Sequence, residues 1–303
     1  MEPGVLIQIL VWGLYAGCIY ILLAIGLNLI FGVMKVVNFA HGELLMLGAY
    51  AAFWIYTLSG VNPYLIIALA MILLGIIGVF IERLCFRPIK GTGKLNEIFL
   101  SLGLIYLFQN LAALLWTTDS RSIHSPYSNV SVSVGSVRLP LDYIIIILFT
   151  IVFLIAFQVF MKRTTIGRAM RATSQNRDAA ALMGINVERM DMLSFALGSA
   201  LAAAAGSLWL ISGQIADPYM GSIPAIKAFA VVIIGGLGSI PGAIVAGLTL
   251  GIAENVVPLF MQSFAGLLGV SMSFTAWKDT IAFFILIIVL VIRPTGIFGE
   301  KGE

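Results

Sequence analysis

From Val5 to Met34 the chain carries no charged side chain, and the same is true from Pro63 to Ile81, from Ile144 to Met161 and from Ala228 to Ala253. An apolar run of about 20 residues spans the hydrocarbon core of a bilayer when helical. Inside lipid every backbone N–H and C=O must be satisfied within the protein, which leaves helices as the spanning form for runs without strand-like alternation. Only 10% of the 303 residues are charged and 60% are hydrophobic, against roughly 25% charged in a soluble domain. So few charges cannot cover a water-facing surface. The expectation is an all-α polytopic membrane protein with room for eight or nine spans. It is a single transmembrane domain over residues 1–303, and no soluble domain fits.

Hydropathy places helices near 5–31, 42–58, 63–81, 97–116, 141–161 and 191–212, an interrupted pair within 224–260, and a last helix near 277–292. The opening "MEPGVLIQIL" lacks the basic region of a cleavable signal, so the first helix is expected to be retained. Cys18 and Cys85 lie in or beside apolar segments and read as small core residues. The net charge of +3 gives no reason to expect nucleic acid.

Where the basic residues sit is more informative. Arg83, Arg87, Lys90 and Lys94 share one loop; Lys162, Arg163, Arg168, Arg171, Arg177 and Arg189 share another; Arg293 and Lys301 lie at the end. Basic loops stay on the cytoplasmic side. The pattern is self-consistent with the N-terminus outside, the C-terminus inside, a basic loop at 162–190 on the inside and a Ser- and Asn-rich loop at 117–140 on the outside.

In "VVIIGGLGSIPGAIVAGLTLGIAE", Gly235, Gly236, Gly238, Pro241 and Gly242 cannot share one unbroken helix. Either two shorter helices meet at a break within the membrane, where broken backbone is tolerated if it lines protein or a water-filled cavity, or the stretch is a simple cytoplasmic turn between two spans. Small residues also recur at intervals of four: Gly13 and Gly17; Gly198, Ala202 and Gly206; Gly247 and Gly251. That spacing lets helix backbones approach closely.

Polar residues in such a chain need a reason. Lys35, Asn38 and His41 fall at three-residue steps, with Glu43 beyond, where the first span ends and the second begins. They are expected at the inner face, either capping a tight reversal or lining the inner mouth of a path. Asn28 lies deeper and is expected to bond a neighbouring helix or line the path. Glu254 resembles it, and Lys227 and Glu254 form a possible pair across the break. A zinc site would need more ligands than His41 and Glu43, and the other histidine, His124, falls on the opposite side. No nucleophile elbow of the form G-x-S-x-G occurs.

On the inside, Asn176 is a candidate N-cap with Asp178 in the first turn, and Gly184 a stop. The intervening helix, mostly Ala179, Ala180, Ala181, Leu182 and Met183, is too apolar to stand alone in water. Either it is a plain connector or it docks a soluble partner.

"GLNLIFGVMKVVNFAHGELLMLGAY", "TTIGRAMRATSQNRDAAALMGINVERM" and "GGLGSIPGAIVAGLTLGIAE" together resemble the permease subunits of branched-chain amino-acid ABC transporters, in collinear order. The shorter of the two permease types fits best, and urea and short-chain amide permeases are similar. The resemblance implies the ABC importer permease fold. It also implies import of branched-chain amino acids across the bacterial inner membrane by alternating access. The expected partners are two cytoplasmic ATPase subunits that use ATP and magnesium, a homologous second permease, a periplasmic amino-acid-binding protein and membrane lipid. No cofactor is expected on this chain. The chain has no phosphate-binding G-x-x-x-x-G-K-[ST]; in "GTGKLN" Pro88 stands at the first glycine position and no Ser or Thr follows Lys94.

Contact with the ATPase subunits would fall to Arg168, Arg171, Asp178, Ala179, Ala180, Leu182, Met183, Gly184 and Ile185. The path or gate would draw on Asn28, Asn38, His41, Glu43, Gly235, Gly236, Gly238 and Glu254. An ion-coupled transporter or a channel is the rival, with Glu254 as its one credible intramembrane carboxylate.

Overall fold

The computed structural model describes residues 3–134, 137–267, 274, 277–293 and 295–299. The helices are α1 (Pro3–Met34), α2 (His41–Ser59), α3 (Pro63–Ile81), a π-helical turn Glu82–Phe86 running into the short α4 (Arg87–Ile89), α5 (Lys94–Trp116), α6 (Leu141–Arg163), α7 (Thr165–Gln175), α8 (Arg177–Leu182), α9 (Val187–Ile211), α10 (Ser222–Gly235), α11 (Ile240–Leu267) and α12 (Lys278–Ile292). Among the described residues, six stretches are long and apolar enough to cross a membrane: Gly4–Met34, Pro63–Ile89, Lys94–Trp116, Leu141–Arg163, Val187–Ile211 and Ile240–Ala265. The expected eight or nine is not reached by that measure: α10 and α12, at 14 and 15 residues, are too short, and α2, which opens on His41 and Glu43, is long enough but not apolar enough. The all-α expectation also needs one correction. The 117–140 loop carries a small antiparallel hairpin, β1 (Ser131–Val134) with β2 (Val137–Pro140), that pairs Val134 with Val137.

α1 is the central column. Its side chains from Cys18 to Ile30 are almost all buried, whereas α3, α5 and α6 leave rows of Leu, Ile and Phe exposed, as lipid-facing helices do. α9 runs antiparallel to α1: Tyr15 hydrogen-bonds Ser212, at the end of α9, and Gly26 meets Gly198 in its middle. The interval-of-four glycines are the contact points. Gly13 and Gly17 of α1 face Gly247, Gly251 and Ile252 of α11, with backbone on both sides. Gly206 of α9 meets Leu45 and Ala49 of α2. Because lipid supplies no hydrophobic force between helices, close backbone packing of this kind holds the bundle.

The chain repeats one manoeuvre in opposite directions. After α1 it turns at Lys35, which sits in the left-handed region at φ 61, and returns without helix, through a turn at Phe39 and Ala40, to His41. His41 Nε2 lies 3.1 Å from the carbonyl of Leu23, so α2 begins well above the end of α1, by about 16 Å at the helical rise per residue. After α9 the chain turns back over 212–221 and α10 begins at Ser222, against α2. A Cβ on Gly42 would overlap the Gly221 carbonyl, and one on Gly221 would overlap the Gly42 carbonyl. Two half-length returns thus meet head to head inside the bundle.

Candidate functional site

Polar side chains collect where these returns and breaks leave backbone unpaired. The first cluster is the α10–α11 turn. α10 ends at Gly235, and Gly236 and Gly238 take φ 99 and 85, conformations that favour glycine. Asn28 of α1 reads this turn from both sides: its Nδ2 donates to the Ser239 carbonyl at 2.8 Å and its Oδ1 accepts from the Gly238 N–H at 2.5 Å. The last carbonyls of α10 are satisfied by the chain's end. Ile297 N–H donates to Ile234 and Phe298 N–H to Gly235 at 2.8 and 3.1 Å. A cavity of about 640 Å³ opens beside the turn, lined by Asn28, Lys35, Arg171, Ser174, Gly238 and Ser239 among others.

The second cluster lies at the head-to-head meeting. The expectation that Asn38, His41 and Glu43 sit at the inner face is corrected: they are 1%, 1% and 2% exposed, and only Lys35 is exposed. A non-helical segment over 35–40, closed by a turn at Phe39 and Ala40, carries them inward. Nor do His41 and Glu43 cap α2. Its N-cap residue, Ala40, makes no side-chain cap bond, and the Ala40 N–H donates to Asn38 Oδ1 at 3.0 Å. Glu43 lies in the first turn of α2, where a negative charge suits the helix dipole. Gln109 of α5 donates to Glu43 Oε1 at 2.9 Å and lies 3.2 Å from Ser222 at the start of α10. Glu43 Oε2 and His41 Nδ1 are buried without a partner.

Glu254 belongs to a third cluster. Lys227 of α10 donates to Glu254 Oε2 at 3.0 Å, and Tyr20 of α1 donates to the same oxygen at 2.9 Å. Lys227 also pairs with Asp279 of α12 at 2.8 Å. The pair suggested by sequence is present, with two further members.

On the basic face, α8 has the expected boundaries. Asn176 Oδ1 accepts from the Ala179 N–H at 2.9 Å, Asp178 lies in the first turn, and Gly184 stops the helix at φ 82. Leu182 and Met183 are 88% and 83% exposed. Arg168, Arg171, Asp178, Ala179 and Gly184 are exposed and Ile185 half-buried. Ala180 departs from the expected surface: it is 4% exposed and turns toward the bundle.

Sequence reasoning did not single out Gln109, Tyr20, Ser222 or Asp279. Gln109, which with Asn110 interrupts the apolar run "LIYLFQNLAALL", carried the same kind of signal as Asn28 and was legible in principle.

The chain is similar to named transport proteins along nearly its whole length. It is 32% identical to the high-affinity branched-chain amino acid transport system permease protein LivH of Escherichia coli K12, over 95% of this chain and 94% of that one. It is 35% identical to the corresponding permease protein BraD of Pseudomonas aeruginosa, over 97% and 96%. It is 25% identical to the probable branched-chain amino acid transport permease protein LivM of Methanocaldococcus jannaschii, over 99% and 95%. No solved structure matches it. The family model described as branched-chain amino acid transport system / permease component matches residues 9–290, and the chain, a multi-pass membrane protein, belongs to that family.

Proposed function

We propose that this chain is a membrane-spanning permease subunit of an ATP-driven importer of branched-chain amino acids, working by alternating access in the bacterial inner membrane. The observation that carries the reading is the end-to-end likeness to LivH and BraD. The likeness to LivM supports a homologous second permease as partner. Two ATPase subunits bind on the basic face, and a solute-binding protein delivers the amino acid to the opposite one. The N-terminus then faces the periplasm and the C-terminus the cytoplasm, as the basic loops favour.

Energy enters from other proteins, since this chain has no phosphate-binding loop of its own. Leu182 and Met183, apolar and exposed beside Arg168, Arg171 and Asp178, form the surface that engages an ATPase groove. The path runs past the two interior breaks. Asn28 with Gly235, Gly236 and Gly238 shapes one, and Asn38, His41 and Glu43 the other. Broken backbone there is what two alternating arrangements require of a packed bundle. The ion-coupled rival would need Glu254 free to bind its ion, and the Lys227 ammonium 3.0 Å away disfavours that.

The test is co-purification of the tagged chain with its ATPase subunits, followed by leucine uptake in proteoliposomes with and without ATP, with urea as the competing solute. ATP-dependent leucine uptake is expected. Uptake by the chain alone without ATP sinks the proposal. Leu182→Glu with Met183→Glu is expected to reduce ATPase co-purification at least tenfold, about the effect of a charge placed in an apolar contact, with membrane insertion unchanged. Ala180→Arg is a poor probe of docking, because that side chain is buried in the bundle.

A further inference from the structure

Arg177, the first residue of α8, points inward rather than toward the exposed Leu182 and Met183. Its guanidinium donates to both carboxylate oxygens of Asp191 on α9, at 2.9 and 2.5 Å. Nη1 also donates to the carbonyl of Val33 at 2.8 Å. Val33 lies in the last turn of α1, where carbonyls have no partner within the helix. Asp191 has a side-chain exposure of 2% and pairs additionally with Lys90, the residue that ends α4.

Among the described residues, Arg177 makes the side-chain hydrogen bonds that join α8 to α1 and α9. Two residues beyond Val33 the chain reverses at the left-handed Lys35 and climbs to Asn38, His41 and Glu43. A shift of α8 therefore pulls directly on the inner end of α1 and, through the reversal, on the interior break. Arg suits this task because its planar fork offers several donors in fixed directions, whereas Lys is a point charge on a flexible stem. The neighbouring Arg87 ion pair with Glu188, at 3.5 Å and largely exposed, cannot substitute for it.

We propose that Arg177 is the positioning residue that transmits movement of α8 to α1, so that its contact with Val33, and not only its pair with Asp191, couples ATP use to import. This rests on the reading of α8 as the ATPase-docking helix.

The experiment measures leucine imported per ATP hydrolysed by the assembled transporter in proteoliposomes. Arg177→Lys is expected to keep the ATPase subunits bound and their activity within about twofold. Import per ATP should fall at least tenfold, the factor matching loss of one charge-assisted hydrogen bond. The swap Arg177→Asp with Asp191→Arg, made together with Lys90→Gln so that the new arginine faces no second cation, restores an ion pair between α8 and α9 but removes the donor aimed at Val33, so import per ATP should stay low. Wild-type import per ATP in Arg177→Lys, or its full recovery in the swap, overturns the proposal. So does release of the ATPase subunits by Arg177→Lys, which would make the residue part of the docking surface. If the swap does not fold, Arg177→Lys decides alone. Failure of the docking reading itself is seen separately, as unchanged co-purification in the Leu182→Glu, Met183→Glu variant.

Discussion

Gly221→Val abolishes the folded protein, seen as loss of a monodisperse peak in mild detergent and loss of uptake. Gly221 has an ordinary φ of −70, so glycine is not required there for its backbone conformation. What requires it is space: a Cβ would overlap the carbonyl of Gly42 at the start of α2, and the mirror argument holds for Gly42→Ala against Gly221. The obstacle in each case is backbone rather than a side-chain tip, so relief demands that a whole half-return move. Overpacking against mobile side chains costs about 1–3 kcal/mol, and a backbone obstacle lies at or beyond the top of that range. Total stability is on the order of 5–15 kcal/mol, so little folded protein is left. Gly103→Ala is the control. It sits in α5 with open space around it, and there a methyl group is expected to be neutral or slightly stabilising, by about 0.5–1 kcal/mol. Wild-type thermal stability in Gly221→Val would show that the two returns do not meet as described.

That meeting point marks the limit of what the sequence disclosed. Helix positions followed from apolar runs, because in lipid each span satisfies its own backbone and neighbours matter little. The glycine intervals were legible for a related reason: Gly13, Gly17, Gly247 and Gly251 do locally what small residues do in any bilayer helix pair. The break at Gly235–Pro241 followed from backbone chemistry alone. The depth of His41 and Glu43 did not. Periodicity says that a helix starts near residue 41, but whether it starts at the surface or well inside depends on a partner return almost two hundred residues away. Ala180 failed for a similar reason, since the inward face of a six-residue helix is chosen by what it rests on. Polar partners such as Gln109 and Tyr20 are set by the same long-range packing, which leaves only a faint mark in a single sequence.

Lys227→Met is the second large effect, and its rescue is more telling than its damage. The Lys227 ammonium of α10 holds together Glu254, Tyr20 and Asp279, drawn from three other helices. Glu254 is 2% exposed and its Oε1 already lacks a partner. Removing the lysine leaves a buried carboxylate without a countercharge, which costs about 3–5 kcal/mol. A fall in thermal midpoint and near-total loss of uptake are expected. Adding Glu254→Gln removes the orphaned charge, and most of the stability should return, because a neutral buried set can be nearly equal to a well-formed ion pair. Asp279, with a side-chain exposure of 51%, can find water, so Asp279→Asn alone should shift stability by less than about 1 kcal/mol. The double variant also separates two roles for the cluster. If it only fastens α10 to α1 and α11, the stable Lys227→Met, Glu254→Gln protein regains ATP-dependent uptake. If Glu254 carried an ion during transport, the double variant would be folded and still inactive. Recovery of stability and uptake together is the expected result; a harmless single Lys227→Met would show that the pair does not hold these helices.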